Sequence, residues 1–98
     1  YTGTVPGRFA LEQNHPNPFN SSTVIRFALP ARAQVQLMVY NLAGQQVVSL
    51  ARGTREAGSY AVTWDGRDAR GRDLASGVYV FTVKSGAETA TGKLMVIW

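Results

Sequence analysis

Apolar and polar residues alternate along most of this chain with the period of a β-strand. Ile25 and Phe27 fall on one side of such a strand and Arg26 falls on the other, as expected where one face is buried. The pattern recurs between turn residues, and the predicted strands are residues 23–29, 33–40, 46–50, 59–64, 78–84 and 89–97. Since no segment has the period of a helix, the sequence predicts an all-β protein, a single antiparallel β-sandwich of about seven strands.

Residues 1–8 show no such alternation and contain Thr, Gly and Pro, a composition typical of a linker. We therefore predict a linker from a preceding domain over residues 1–8 and one domain over residues 9–98. Two loops are predicted within that domain, at residues 53–58 and at the polar, turn-rich residues 65–77.

The strand at residues 59–64 places large aromatic rings on one face. Tyr60 and Trp64 share that face with Val62, and apolar neighbours of this kind indicate a core. The alternative is an aromatic platform for sugar rings, built from the same two residues with Tyr79 and Phe81. The alternation favours the core, and it predicts that Trp64 is buried.

Composition and charge argue against catalysis. The chain has 98 residues, no cysteine, one histidine and a net charge of +4. His15 has no second histidine or cysteine at ligand spacing, and no serine lies in a nucleophile motif. The arginines at residues 67–72 alternate with aspartates, which predicts Asx-turns and Asp–Arg pairs rather than a calcium loop. We predict no enzyme activity, no catalytic or metal site, no cofactor, no nucleic acid and no membrane insertion.

A stiff segment precedes the first long strand. Residues 13–20, here called the lead-in segment, contain His15, Pro16, Asn17 and Pro18. Each proline fixes its own φ and keeps the residue before it out of the helical region. The lead-in segment is therefore expected to be extended.

Several short motifs occur in a characteristic order, from Pro16-Asn17-Pro18 through Trp64-Asp65-Gly66 to Gly77-Val78-Tyr79 and Lys93. In that order they resemble the C-terminal sorting domains (type A) of the bacterial type IX secretion system. Those domains are similar in turn to the Ig-like domain of the flagellar hook-capping protein. The resemblance covers about residues 9–97 and implies an Ig-like β-sandwich.

The resemblance also implies a function. It predicts a non-catalytic domain for sorting and cell-surface attachment, with recognition candidates Pro16, Asn17, Pro18, Gly77, Tyr79 and Lys93. The implied partners are an outer-membrane translocon, the surface-attachment machinery and a preceding cargo domain. The domain is expected to be a monomer, secreted or at the cell surface via the periplasm of a Gram-negative bacterium. Two alternatives stay open: a structural Ig-like module like that of the hook cap, and a carbohydrate-binding accessory module of an enzyme.

A translocon must recognise an exposed feature of the domain. Lys93 and the edge of its strand suit that purpose, because an open strand edge can pair with another chain and a lysine adds charge. We therefore expect the edge beside Lys93 to be open.

Overall fold

The computed structural model describes residues 7–98, so residues 1–6 of the predicted linker lie outside the described part. The described chain forms seven strands: β1 (Ala10–Leu11), β2 (Thr23–Leu29), β3 (Ala33–Tyr40), β4 (Gln46–Arg55), β5 (Gly58–Trp64), β6 (Gly77–Ser85) and β7 (Glu88–Val96). One sheet has the order β1-β2-β5 and the other β4-β3-β6-β7, with every pairing antiparallel. The predicted Ig-like β-sandwich is confirmed.

The core lies between the two sheets and is filled by the residues that alternation placed inside. The strictly alternating strands β2 and β3 bury every second side chain, because successive residues of a strand point to opposite faces. Trp64 is buried as predicted and is 2% exposed. The buried apolar residues are Phe19, Ile25, Phe27, Leu29, Val35, Leu37, Val39, Trp64, Tyr79, Phe81, Val83, Leu94 and Val96.

The fourth strand differs from its prediction. We expected a strand over residues 46–50 and a loop from residue 53, but β4 continues to Arg55 and pairs with β3 throughout, with two irregularities in register. These β-bulges lie opposite residues 37–40 of β3 and shift the inward and outward positions there, whereas the missed residues 52–55 pair in regular register. Strand β1 was also missed, since its two residues are too few to show a period.

The lead-in segment is part of the packed domain. Phe19 is buried and lies edge-on against Trp64, with ring centroids 5.7 Å apart. His15 forms a bridge to Val24 at the start of β2. The His15–Pro16 and Asn17–Pro18 peptide bonds are cis. The segment therefore connects the two sheets at one end of the sandwich.

Trp98 lies at the same end. Its backbone N–H donates to Ser76 Oγ at 3.0 Å, and its indole N–H donates to the carbonyl of Leu74. The ring lies over Gly66, where a Cβ atom would come within 3.2 Å of two indole carbons. The end of the chain is thereby fixed to the loop between β5 and β6.

Candidate functional site

The six recognition candidates lie in three chain segments, and the fold brings these segments to one end of the β6–β7 hairpin. Gly77 pairs with Val96, and Val80 pairs with Lys93. The lead-in segment reaches the same place through a parallel bridge between Phe19 and Val96. Residues that are about 60 to 75 positions apart in the sequence thus form one continuous region.

Hydrogen bonds fix the lead-in segment along the outer edge of β7. The side-chain Oδ1 of Asn17 accepts from the backbone N–H of Met95 at 2.8 Å. The N–H of Phe19 donates to the carbonyl of Met95 at 3.0 Å, and the N–H of Ile97 donates to the carbonyl of Phe19 at 2.8 Å. The Asn17 side chain therefore takes the place of a backbone acceptor at the edge of β7.

The edge beside Lys93 is covered, contrary to expectation. Gln13 Nε2 donates to the carbonyl of Lys93 at 2.7 Å, and the next edge positions are bound by the lead-in segment. An incoming strand would have to displace these bonds before it could pair here. What remains accessible near Lys93 is its side chain and the outer face of the sheet.

A buried polar network holds the lead-in segment from beneath. Asn14 is 1% exposed and Thr23 is 0% exposed. Asn14 Nδ2 donates to Thr23 Oγ1 at 3.0 Å and to the carbonyl of Pro16 at 3.3 Å. The hydroxyl of Thr23 donates to that same carbonyl at 2.7 Å. Both side chains are satisfied, so their burial is compatible with a stable fold.

We expect the Asn14–Thr23 network to contribute measurably to stability. Asn14→Ala and Thr23→Val should each lower the free energy of unfolding by about 1–3 kcal/mol, because each removes hydrogen bonds from the buried polar groups that remain. The double variant should lose less than the sum, since the two residues share one network. Urea denaturation of the four proteins measures these differences.

Asn20→Ala provides the control for the Asn14 and Thr23 variants. Asn20 is exposed and lies in the same segment, so Asn20→Ala should change stability by no more than about 0.5 kcal/mol. Strictly additive losses in the Asn14 and Thr23 variants would contradict the shared network.

Gly77 and Tyr79 support this region from inside. Gly77 has φ +153°, a conformation that side chains rarely adopt. The Tyr79 hydroxyl donates to the carbonyl of Ala75 at 2.7 Å, and its ring packs edge-on against Trp64. Burial raises the pKa of Tyr79. In the folded domain these two residues can shape this region, and the exposed candidates are Pro16, Asn17, Pro18 and Lys93.

A shallow cleft lies beside Lys93. It has a volume of about 220 Å³ and is lined by Asn17, Val78, Lys93, Leu94 and Met95. Pro16 and Pro18, which flank Asn17 in the chain, are exposed. The combination of an apolar cleft with one cation and one amide is suited to binding a protein segment, and it offers no nucleophile or general base.

The loop between β5 and β6 has the expected internal ion pairs. Arg67 pairs with Asp73 at 3.1 Å and Arg72 with Asp68 at 3.2 Å. The backbone N–H of Arg72, followed by that of Arg70, holds the pKa of Asp68 below its usual value. These carboxylates are therefore engaged within the loop, as the mixed-charge interpretation predicts.

The described residues contain neither a metal-binding cluster nor a membrane-spanning helix. Nowhere in residues 7–98 do three or more His, Asp or Glu side chains come together as metal ligands. The same residues include no helix long and apolar enough to cross a membrane. His15 is exposed. Trp64, Tyr79 and Phe81 are buried, so the suggested aromatic platform for sugars does not form.

Sequence reasoning missed three of the residues that hold this region together. Asn14 was treated only as part of an extended segment, although it is buried. Phe19 has no alternating neighbours to mark it as a core residue. Gly92 lies directly opposite Phe81 in the β6–β7 pairing, and its lack of a side chain makes room for that ring. The alternation of hydrophobic and polar residues does not indicate where a side chain must be absent so that a neighbouring ring can fit.

A comparison with family models gives one match. The model described as the FlgD Ig-like domain matches residues 13–89, which is most of the chain. A search of curated protein sequences gives no match.

Solved structures share the fold. PorZ of Porphyromonas gingivalis, described as an essential bacterial surface component of the type IX secretion system, is 23% identical over 91% of this chain, with a TM-score of 0.63. Latent dimeric PorU from the same organism is 20% identical over 91% of this chain, with a TM-score of 0.65. FlgD from Xanthomonas campestris, described in connection with hook capping in flagellar assembly, is 25% identical over 93%, with a TM-score of 0.60.

The match covers only a small part of the larger relatives. This chain spans 12% of PorZ and 9% of PorU, against 63% of FlgD from Xanthomonas campestris. It is thus similar to one module within each of these proteins.

Proposed function

This chain belongs to the FlgD Ig-like domain family, and we propose that it serves as a non-catalytic sorting and surface-attachment domain of a secreted bacterial protein. On this proposal the type IX secretion machinery recognises the domain, which follows a cargo domain. The protein would reach the outside of a Gram-negative bacterium, or its surface, through the periplasm. The similarity to a module of PorZ, a surface component of that system, is in keeping with this location.

One observation carries the proposal. The motifs that resemble those of sorting domains are far apart in the sequence, yet in the fold they form a single region at one end of the β6–β7 hairpin. Three exposed residues of the lead-in segment lie there beside the exposed Lys93. A sorting domain that is recognised in its folded state requires such an exposed surface. A structural Ig-like module does not require one.

Export of a reporter tests the proposal. The domain is fused behind a Sec signal and a reporter protein in a bacterium that has a type IX system, and surface display is measured by protease accessibility. We expect the native fusion to reach the surface. Lys93→Ala should reduce display about fivefold, which corresponds to ~1 kcal/mol of recognition, while stability changes by no more than about 0.5 kcal/mol.

Arg26→Ala is the matched control. Arg26 is an exposed strand cation on the other sheet, and its removal should leave display unchanged. If the native fusion stays in the periplasm while an established sorting domain exports the same reporter, the sorting proposal is wrong.

The structural module remains the second candidate. The family match itself favours it, because the FlgD Ig-like domain defines the family. A structural module would give a folded, stable fusion that is not displayed under the conditions above, so the same experiment separates the two.

A further inference from the structure

The outer face of the four-stranded sheet has an uneven charge distribution. Alternation and register place the side chains of Arg52, Lys84 and Lys93 on this face. Lys84 and Lys93 are the only lysines of the chain. Within residues 7–98, the ion pairs of the structure involve Arg32, Arg67 and Arg72, none of which is on this face.

The acidic residues lie elsewhere. Three aspartates are in the loop between β5 and β6, and Glu56 is in the turn before β5. Glu12 follows β1. Glu88 pairs with the buried Ser85, so its side chain belongs to the opposite side of β7 from Lys93. The outer face of the four-stranded sheet therefore presents three cations and no carboxylate.

One end of this face is apolar. Tyr40 and Val80 are neighbours across β3 and β6, and Lys93 comes next to Val80 on β7. Met38 and Val78 extend the apolar strip, and all of its members are half-buried. The cations stand at its border. An apolar patch that includes an aromatic ring and has a polar border is a common composition of a protein–protein interface.

The three-stranded sheet differs. Its outer face carries small residues, including Ala28, Ala61 and Ser59, together with the cation Arg26. It offers neither an apolar strip nor a group of charges. The two outer faces of the sandwich are thus distinguishable to a partner.

We propose that the outer face of the four-stranded sheet docks an acidic protein surface of the secretion machinery. The proposal rests on the proposed function and adds which face is recognised and what the partner must present. A sugar polymer is disfavoured because Tyr40 is the single aromatic side chain on this face. An acidic partner would pair with the three cations at the border and cover the apolar strip.

The size of the face sets the extent of the contact. With strands ~4.8 Å apart and ~3.3 Å per residue, the sheet face has a planar area of about 500 Å². A stable protein–protein interface buries about 800 Å² on each partner. The cleft shares Val78, Lys93 and Met95 with this face, so a partner that extends beyond the sheet would meet Asn17 and the exposed Pro16 and Pro18 next to it. Such a contact would include both the docking face and the exposed lead-in residues beside Lys93.

Charge reversal in the reporter fusion tests the face. The face variant carries Arg52→Glu, Lys84→Glu and Lys93→Glu. The control carries Arg26→Glu, Arg55→Glu and Arg70→Glu, which makes the same change in net charge at positions away from the face. We expect the face variant to lose at least tenfold in surface display and the control to keep it, with similar unfolding midpoints for both.

The results separate this inference from the proposed function. If the native fusion is not displayed, the proposed function is wrong and the docking partner proposed here falls with it. If the native fusion and both variants are displayed equally, the sorting function stands and the docking face is wrong. Equal losses of surface display in both variants would show that display depends on net charge. That result would also contradict the proposed docking face.

Photo-crosslinking identifies the partner protein that binds the docking face. A benzophenone amino acid replaces Thr82, at the centre of the docking face, or Thr63, on the outer face of the other sheet. We expect a crosslink to one envelope protein from position 82 alone, absent in the face variant, and restored when acidic residues of that protein are changed to lysine. No crosslink from position 82, or equal crosslinking from both positions, would contradict the proposal.

A membrane surface is the competing source of negative charge. The purified reporter fusion is sedimented with vesicles of equal parts phosphatidylglycerol and phosphatidylcholine. The proposal expects weak retention of the native protein and the same, lower retention of the face variant and the control, because both variants carry the same net charge. Strong retention that disappears only in the face variant would assign the face to lipid and overturn the protein partner.

Discussion

Trp64→Ala is expected to lower the free energy of unfolding by about 3–5 kcal/mol, as for other large-to-small changes in a core. Trp64 packs edge-on against Phe19 at 5.7 Å and Tyr79 at 6.2 Å between ring centroids. Its indole N–H donates to the carbonyl of Arg67 at 3.0 Å. The ring thus joins the lead-in segment, β6 and the β5–β6 loop, and no neighbour can fill its space without moving one of them.

The size of this loss is comparable with the whole stability of a small domain. Natural domains are stable by about 5–15 kcal/mol, and a chain of 98 residues falls toward the lower part of that range. Trp64→Ala should therefore leave a large unfolded fraction at moderate temperature. Trp64→Phe, which keeps a ring but loses the N–H donor, should cost less than Trp64→Ala.

Fluorescence in a Trp98→Phe background measures the effect, because Trp64 is then the only tryptophan. The folded protein should resist quenching by iodide and show a red shift on unfolding in urea. Trp98→Ala is the matched control for ring loss at a half-exposed position, and it should be the milder change. Strong iodide quenching of Trp64 in the folded state would contradict its place in the core.

The sequence predicts the layers of this fold well because the central strands are regular. In β2 and β3 every second residue is buried, so a period of two is visible without any knowledge of partners. In β4 the bulges opposite residues 37–40 of β3 remove that period. The missed residues pair in regular register, but Arg52, Gly53 and Thr54 have the composition of a loop. Charged residues are common on edge strands, where they discourage pairing with other chains.

The candidate site was predictable only in part. The motifs in the sequence indicated which segments matter, but they did not indicate that Asn17 bonds to Met95 or that Gln13 covers the edge at Lys93. These contacts join residues about 80 positions apart. Local pattern describes which face of a strand is buried, whereas contacts between strand edges depend on the assembled topology.

Gly92 shows the same limit at a single position. It lies on the inner face of β7, in alternation with the buried Leu94 and Val96, where a large apolar residue would be expected. Its partner across the strands is Phe81, which is 0% exposed. A Cβ atom at residue 92 would lie within 3.0 Å of three atoms of that ring. The aromatic ring of one strand occupies the space above the glycine of the next.

Gly92→Ala is therefore expected to destabilise the domain, although strand preference alone predicts the opposite. Replacing a glycine inside a strand by alanine gains about 0.5–1 kcal/mol, because the unfolded chain loses freedom. Forcing a methyl group against a packed ring costs about 1–3 kcal/mol. Phe81 is enclosed in the core, so its ring cannot swing into solvent, and the packing cost should exceed the backbone gain.

A double-mutant cycle with Phe81→Leu tests this argument. Phe81→Leu alone should destabilise by removing buried volume, but it also vacates the space above residue 92. The double variant should then lose at least about 1 kcal/mol less than the sum of the single losses, as measured by urea denaturation.

Gly7→Ala serves as the control, because nothing lies within 4 Å of its Cβ position and stability should hardly change. If Gly92→Ala stabilises the domain, or if the two losses simply add, then the Phe81 ring does not depend on the glycine. If the cycle shows the expected coupling, the Phe81 ring requires the space left by the missing side chain at residue 92.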